Sequence, residues 1–276
     1  MTLTSPNFRN VPQLEAASGN SPWLKKGVRG HGVHLIQFAL IDLGFPMPQS
    51  IGGAGLSPDG IYGDETVQRM KEFQRSSFGG PPIKDDGAAG SNTMSKLDRA
   101  VSSFTHRVRV HMFINVTPEA PVLKAENLAK ELYGRYGIDL QIVSSQSLPL
   151  SHEEEQEFSQ HALPFRRMKE LAQAYTTIQP LPTEIMVFYI LLFDPDTDLA
   201  LSLANRTGAV TRIKKNADVS TLAHEIAHNL IDSPHGVSEH VAHKHNILAV
   251  LPRSTPFVLS IEQVEQMRKN IRLLPA

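Results

Sequence analysis

Ala217-Asp218-Val219-Ser220-Thr221-Leu222-Ala223-His224-Glu225-Ile226-Ala227-His228-Asn229-Leu230-Ile231 decides how this chain is read. Apolar residues stand at 219, 222, 223, 226, 227 and 230, the i, i+3, i+4, i+7 spacing of one buried helix face. Asp218 or Ser220 can cap its start. Within it, His224 to His228 spell H-E-x-x-H. Side chains four apart on a helix stack on one side, so the two imidazoles point at one place. Glu225 is rotated by about 100° from His224, near enough to reach a metal-held water but badly placed to ligate beside both histidines. Two neutral imidazoles, a third protein ligand and an open position make a catalytic Zn²⁺ site for one ion. Such an ion lowers the pKa of water toward about 7, and the glutamate takes the proton. A chance match would seldom fall on a well-formed amphipathic helix followed by more histidines. His224, His228, His235, His240, His243 and His245 are half of the chain's 12.

The whole chain sets bounds on this reading. Its 276 residues make one large or two ordinary domains. A net charge of -1 gives no electrostatic case for nucleic acid or an acidic membrane surface. No apolar run is long enough to span a bilayer; the longest, 185–193, has the length of a buried strand. With no cysteine, disulfides, thiolate ligands and thiol nucleophiles are excluded. Residues 1–10 have no apolar core, so no signal peptide is expected there. The protein is then expected to be made in the cytoplasm and to reach an envelope target by a non-classical route.

Residues 1–20 are polar, with Pro6, Pro12 and Gly19, and read as a flexible tail. Trp23 marks the start of order. Residues 21–100 carry an internal echo. Asp59-Gly60-Ile61-Tyr62-Gly63-Asp64-Glu65-Thr66 and Asp86-Gly87-Ala88-Ala89-Gly90-Ser91-Asn92-Thr93 share D-G-x-x-G-x-x-T. Asp-Gly makes a tight turn, and Asp64 or Ser91 can cap the helix that follows. Helices are expected over 65–74 and 92–97, after one over 32–44 that stops at Gly44. The stretch resembles the peptidoglycan-binding domain of bacterial cell-wall hydrolases. The matching residues are Gly27-Val28-Arg29-Gly30, Val33, Leu35-Ile36-Gln37, Leu40, Asp59-Gly60-Ile61-Tyr62-Gly63, Thr66, Phe73-Gln74, Asp86-Gly87, Gly90 and Thr93. The resemblance implies three helices and a surface for wall carbohydrate or stem peptide. The same small fold also serves as the inhibitory pro-domain of matrix metalloproteases, where a cysteine blocks the zinc; this chain has none.

Residues 104–276 form the second domain. Strands are expected over 107–116, 138–143 and 184–193, and an edge strand or hairpin over 199–214. Helices are expected over 118–136, from 151, over 166–175 and over 259–268. Ser260 and Gln263 make a capping box for the last. His111 is expected as a strand residue rather than a ligand. This is an α+β pattern with a mixed sheet.

Strands, an H-E-x-x-H helix, a close third histidine, an Asn-Ile-Leu turn and a last helix resemble the metzincin zinc peptidases, nearest the matrixin-like bacterial members. Their pattern is H-E-x-x-H-x-x-G-x-x-H. Here Ile231 holds the glycine position and Pro234 the third-histidine position, with His235 one residue later. The resemblance implies His235 as third ligand, with Asp232, Glu239, His240 and His243 as alternatives or as partners behind the ligands. It also implies that Asn246-Ile247-Leu248 is the turn under the metal, with Leu248 replacing the usual methionine as apolar floor.

The reading is a zinc peptidase in which Glu225 is general base and then proton donor. Its expected partners are the bacterial cell wall and a substrate that is a peptidoglycan stem peptide or an envelope protein. The rivals are a general protein-cleaving enzyme whose small domain docks a partner, and a non-enzymatic wall-binding protein with a structural zinc.

Overall fold

The D-G-x-x-G-x-x-T echo becomes one structural device used twice. A computed structural model describes residues 2–52, 57–115, 121–159, 164–190, 200–205, 208–231, 245–249, 256–270 and 272–276. In it, helices α1 (Pro12–Ser18) and α2 (His31–Asp42), a two-stranded ribbon of β1 (Ile51–Gly52) and β2 (Ser57–Pro58), and helices α3 (Asp64–Arg75) and α4 (Ser91–Ala100) follow in order. Gln37 of α2 sits inside the first echo. Its Nε2 faces Asp59 Oδ1 at 2.8 Å, the Ile61 carbonyl at 3.0 Å and Thr66 Oγ1 at 3.1 Å, while its Oε1 accepts the Gly60 N–H at 2.9 Å. Gln74 of α3 repeats the arrangement in the second. Its Nε2 faces Asp86 Oδ1 at 3.2 Å, the Ala88 carbonyl at 3.0 Å and Thr93 Oγ1 at 2.9 Å, and Oε1 accepts the Gly87 N–H at 2.8 Å. Gly60 and Gly87 have φ of +66° and +75°, a backbone that side chains rarely adopt. A Cβ on Gly87 would also meet a methyl of Val67 at 2.8 Å.

Two expectations are corrected here. Asp64 and Ser91 are the first helical residues, and Gly63 and Gly90 hold the cap positions with no side-chain cap. At the first turn Asp64 still favours the positive end of its helix, and Asn20 Oδ1 accepts the Ser91 N–H at 2.7 Å. Residues 1–20 are not a loose tail. Leu3, Phe8, Val11, Leu14 and Ala17 are buried in the same core as Ile36, Phe73 and Leu97. Pro12 opens α1, where its missing N–H costs nothing. Asp98 of α4 accepts the N–H groups of Thr4 and Ser5 at 3.0 and 2.9 Å. Leu14 and Ala17 face the core from α1, and Phe8 and Val11 continue the same three-residue spacing ahead of it beneath a polar composition.

The chain divides into two units. One is Met1–Thr105 with Gly134–Gly137 and Val258–Val264; the other is His106–Tyr133, Ile138–Phe257 and Glu265–Ala276. The elements after α4 are β3 (His106–Ile114), α5 (Val122–Gly134), β4 (Ile138–Ser147), α6 (His152–Ser159), α7 (Phe165–Tyr175), β5 (Ile185–Ile190), β6 (Ala200–Asn205), β7 (Gly208–Lys214), α8 (Thr221–Ile231), α9 (Ile261–Lys269) and β8 (Leu274–Pro275). Their sheet runs β4-β3-β5-β7-β6, with β8 beside the start of β3. β3 pairs in parallel with β4 and β5, and β5 with β7; β6 returns antiparallel along β7. The sheet is therefore mixed; α5 carries the chain from β3 to its parallel neighbour β4, and α6 and α7 carry it back to β5 on the other side of β3. Every residue of β5 and of β7 is buried, as strands covered on both faces require. Phe113, Phe158, Met168, Leu171 and Phe188 form a core in which α6 and α7 meet the strands. The Ser260–Gln263 capping box is present, with reciprocal bonds of 2.8 and 3.1 Å. Among the described residues no helix is long and apolar enough to cross a membrane.

Candidate metal centre

The start of α8 is fixed by Asp218, whose Oδ1 accepts the Ser220 N–H at 2.7 Å and the Ser220 hydroxyl at 2.6 Å. From there the helix buries Leu222, Ala223, Ile226, Ala227 and Leu230, the predicted apolar stripe. His224 is 5% exposed and Glu225 6%, while His228 is half-buried. The two imidazoles meet edge to face with centroids 4.6 Å apart. Their Nε2 atoms are 3.0 Å apart. Two ring nitrogens at that distance need one proton or one cation between them. Ligands of a tetrahedral zinc at about 2.0–2.1 Å stand roughly 3.3 Å apart, so a small opening of the pair admits the ion.

The outer ring nitrogen of His224 settles its orientation. Nδ1 lies 2.7 Å from the carbonyl of Ile247 and donates to it. The proton then sits on Nδ1 and the lone pair on Nε2, the tautomer a metal requires. Asn246, Ile247 and Leu248 are all buried. Asn246 Oδ1 accepts the Leu248 N–H at 2.9 Å and shapes the turn that presents the Ile247 carbonyl. Glu225 Oε1 is 3.9 Å from His224 Nε2, beside the histidine pair rather than part of it. Under the helix, the buried Tyr133 donates to the Ala223 carbonyl at 2.7 Å. Burial, and then the charge of Glu225, hold that phenol well above its ordinary pKa, so it stays a donor.

Asp232, His235, Glu239, His240 and His243 lie outside the described residues. Among the described residues no group of three or more histidine or acidic side chains is placed to hold a metal. The described part of the centre is thus two convergent imidazoles, one adjacent carboxylate and the turn that orients the first imidazole. That donor set suits Zn²⁺ when a third ligand joins it.

A second buried polar cluster joins β3, β4 and the residue just before β5. His111 of β3 is a strand residue, as its alternating context predicts, and it carries partners at both nitrogens. Nδ1 is 2.7 Å from Ser144 Oγ of β4 and Nε2 is 3.0 Å from Glu184 Oε2. Arg109 reaches Glu184 Oε1 at 2.7 Å, and the Leu181 N–H donates to Glu184 at 2.8 Å. Burial disfavours the Glu184 charge, but the Leu181 N–H, His111 and Arg109 outweigh it and hold the carboxyl below its ordinary value. The pairing of β3 with β4 shifts register between Val110 and His111, which brings Ser144 opposite His111. A register shift between strands distant in sequence leaves no signal in either strand.

Residues 29–97 match a family model described as "Putative peptidoglycan binding domain". The match spans both glutamine cradles. A curated protein of Bacillus licheniformis, "Probable N-acetylmuramoyl-L-alanine amidase", is 34% identical over 89 residues, which is 32% of this chain and 22% of that protein. The chain thus matches about a fifth of that relative's length. Among solved structures, metalloproteinase-II from Bacteroides fragilis aligns with a TM-score of 0.42 and 13% identity, over 60% of this chain and 53% of that one. That likeness is too loose to bear on the site.

Proposed function

We propose that this chain is a zinc-dependent peptidase of metzincin type acting at the bacterial cell wall or envelope. The carrying observation is the convergence of His224 and His228 Nε2 at 3.0 Å, with His224 Nδ1 anchored on the Ile247 carbonyl. A structural zinc would have no use for the adjacent carboxylate of Glu225.

His224 and His228 would hold the ion, with His235 first among the candidates for third ligand. Bound zinc would supply a Lewis acid that makes water acidic and polarises the scissile carbonyl. Glu225, beside the pair, takes the proton from the attacking water. It then returns that proton to the leaving amine, so one carboxylate serves both half-reactions. The Ile247 carbonyl holds the first imidazole in its ligating tautomer throughout.

The match of residues 29–97 to a peptidoglycan-binding family supports a wall-directed substrate, with that region binding or positioning it. The amidase name of the partial relative supports the same direction, since it concerns an amide bond of the wall. The substrate class is therefore an amide or peptide bond of peptidoglycan, or of a protein held near it. General proteolysis is the second reading, because the centre itself does not select a substrate. Zinc-loaded protein and its Glu225→Ala variant are incubated with purified peptidoglycan and with casein, and released amines are counted. Release from peptidoglycan by the wild type alone supports the proposal. Release from casein alone moves the function to general proteolysis, and equal release by both proteins sinks the role of Glu225.

A further inference from the structure

His228 lies in the turn of α8 that leads to Ile231, the last residue described there. A ligand in that turn needs the turn held from outside. Asn229 is where the hold occurs, on both its backbone and its side chain.

Asn270 Nδ2 reaches the Asn229 carbonyl at 3.4 Å. The orientation of the Asn270 amide is itself fixed. Its Oδ1 accepts the Arg272 N–H at 2.9 Å and faces Arg272 Nη1 at 3.2 Å, so Nδ2 must turn toward the helix. Arg272 is 1% exposed and anchors its other Nη on the Gly208 carbonyl at 2.8 Å. Gly208 begins β7. Three residues on, Thr211 Oγ1 accepts from Asn229 Nδ2 at 2.6 Å, and the same Nδ2 lies 3.2 Å from the Glu225 carbonyl. The hydrogen bonds run from β7 through Arg272 and Asn270 to the Asn229 backbone, and return to β7 through its side chain. Buried hydrogen bonds from a guanidinium are stronger than neutral ones, which makes this route stiff.

We propose that Asn270, Arg272 and Thr211 are positioning residues for the metal: a clasp that holds the turn of α8 around Asn229 and fixes His228 opposite His224. This rests on His224 and His228 being ligands. The same contacts would be spare in a helix needed only for packing, because its apolar stripe already holds it to the core.

The test is zinc affinity of the full chain, by competition with a chelator, and the absorption spectrum of the Co²⁺-substituted protein. The variants are Asn270→Ala, Thr211→Val and Thr211→Ser. Asn270→Ala and Thr211→Val are expected to weaken zinc by about tenfold or more and to alter the cobalt bands. Thr211→Ser keeps the hydroxyl and should retain wild-type affinity. Wild-type affinity and spectrum in Asn270→Ala and Thr211→Val would overturn the clasp. If Asn270→Ala does not fold, the near-isosteric Thr211→Val against Thr211→Ser decides alone. A wild type that takes up no zinc removes the ligand pair, and the clasp's purpose with it.

Discussion

Gln37 and Gln74 in the first unit and His224 and His228 in the second are polar side chains set into packed helices, and they are satisfied differently. Each glutamine amide has its oxygen and nitrogen enclosed by one turn, with four partners from one short stretch of chain. Of the histidines, His224 is oriented from behind by the Ile247 carbonyl, and the two rings bring their Nε2 atoms to 3.0 Å from each other. A closed polar network specifies a fold, because every unmet group within it would cost stability. In the proposed centre, the point where the two imidazoles converge is where an ion would be held.

The largest effect expected from breaking this contrast is at Glu225. Glu225→Ala removes proton transfer but no ligand, so hydrolysis should fall by about 10²–10⁴-fold while zinc content stays at the wild-type level. A rate assay beside metal analysis checks both.

On the other side of the comparison, Phe8→Ala empties a fully buried site in the first core. It should destabilise that unit by about 3–5 kcal/mol, measured by denaturant unfolding of the full chain. A loss near zero would return residues 1–20 to a loose tail.

Gln37→Ala comes next. It strands the Gly60 N–H and loosens the Asp59 turn, which should cost about 2–3 kcal/mol. Gln74→Ala should cost a similar amount, since the device is the same. Markedly unequal losses would show that the repeat is geometric but not energetic. Neither change should alter zinc content.

The smallest effect concerns the His111–Glu184 cluster. Glu184 is ionised more readily in the fold than its ordinary value of 4.5. A carboxylate with a depressed folded pKa adds stability that is complete above its unfolded value and is lost as pH falls through the folded one. Stability measured from pH 6 downward should therefore fall below about pH 4.5, and Glu184→Gln should flatten that part of the curve.

The same contrast explains what was legible in the sequence. H-E-x-x-H on an apolar stripe is a local pattern, and α8 with its stripe follows from it. The D-G-x-x-G-x-x-T echo is also local, and the helices after each copy begin within two residues of the expected places. The glutamines at the centres of the echoes stood among the family-like residues, yet their role could not be read. Gln37 lies 22 residues from Asp59 and Gln74 only 12 from Asp86, so no fixed spacing links them. The order of residues 1–20 is hidden because polar residues there outnumber the core residues Leu3, Phe8, Val11, Leu14 and Ala17. Asn229, Asn270 and Arg272 were invisible for a related reason: a clasp of polar residues 41 positions apart has no periodicity. The sequence leaves the third ligand open among His235, Asp232, Glu239, His240 and His243, which lie outside the described residues.

The most direct test of the central claim is the zinc content of the purified full chain, by elemental analysis, beside His224→Ala and His228→Ala. The account predicts about one zinc per wild-type chain, as a single site with two histidine ligands requires, and loss of that zinc in both variants while each stays folded. No zinc in the wild type, or zinc retained in full by both variants, would contradict it.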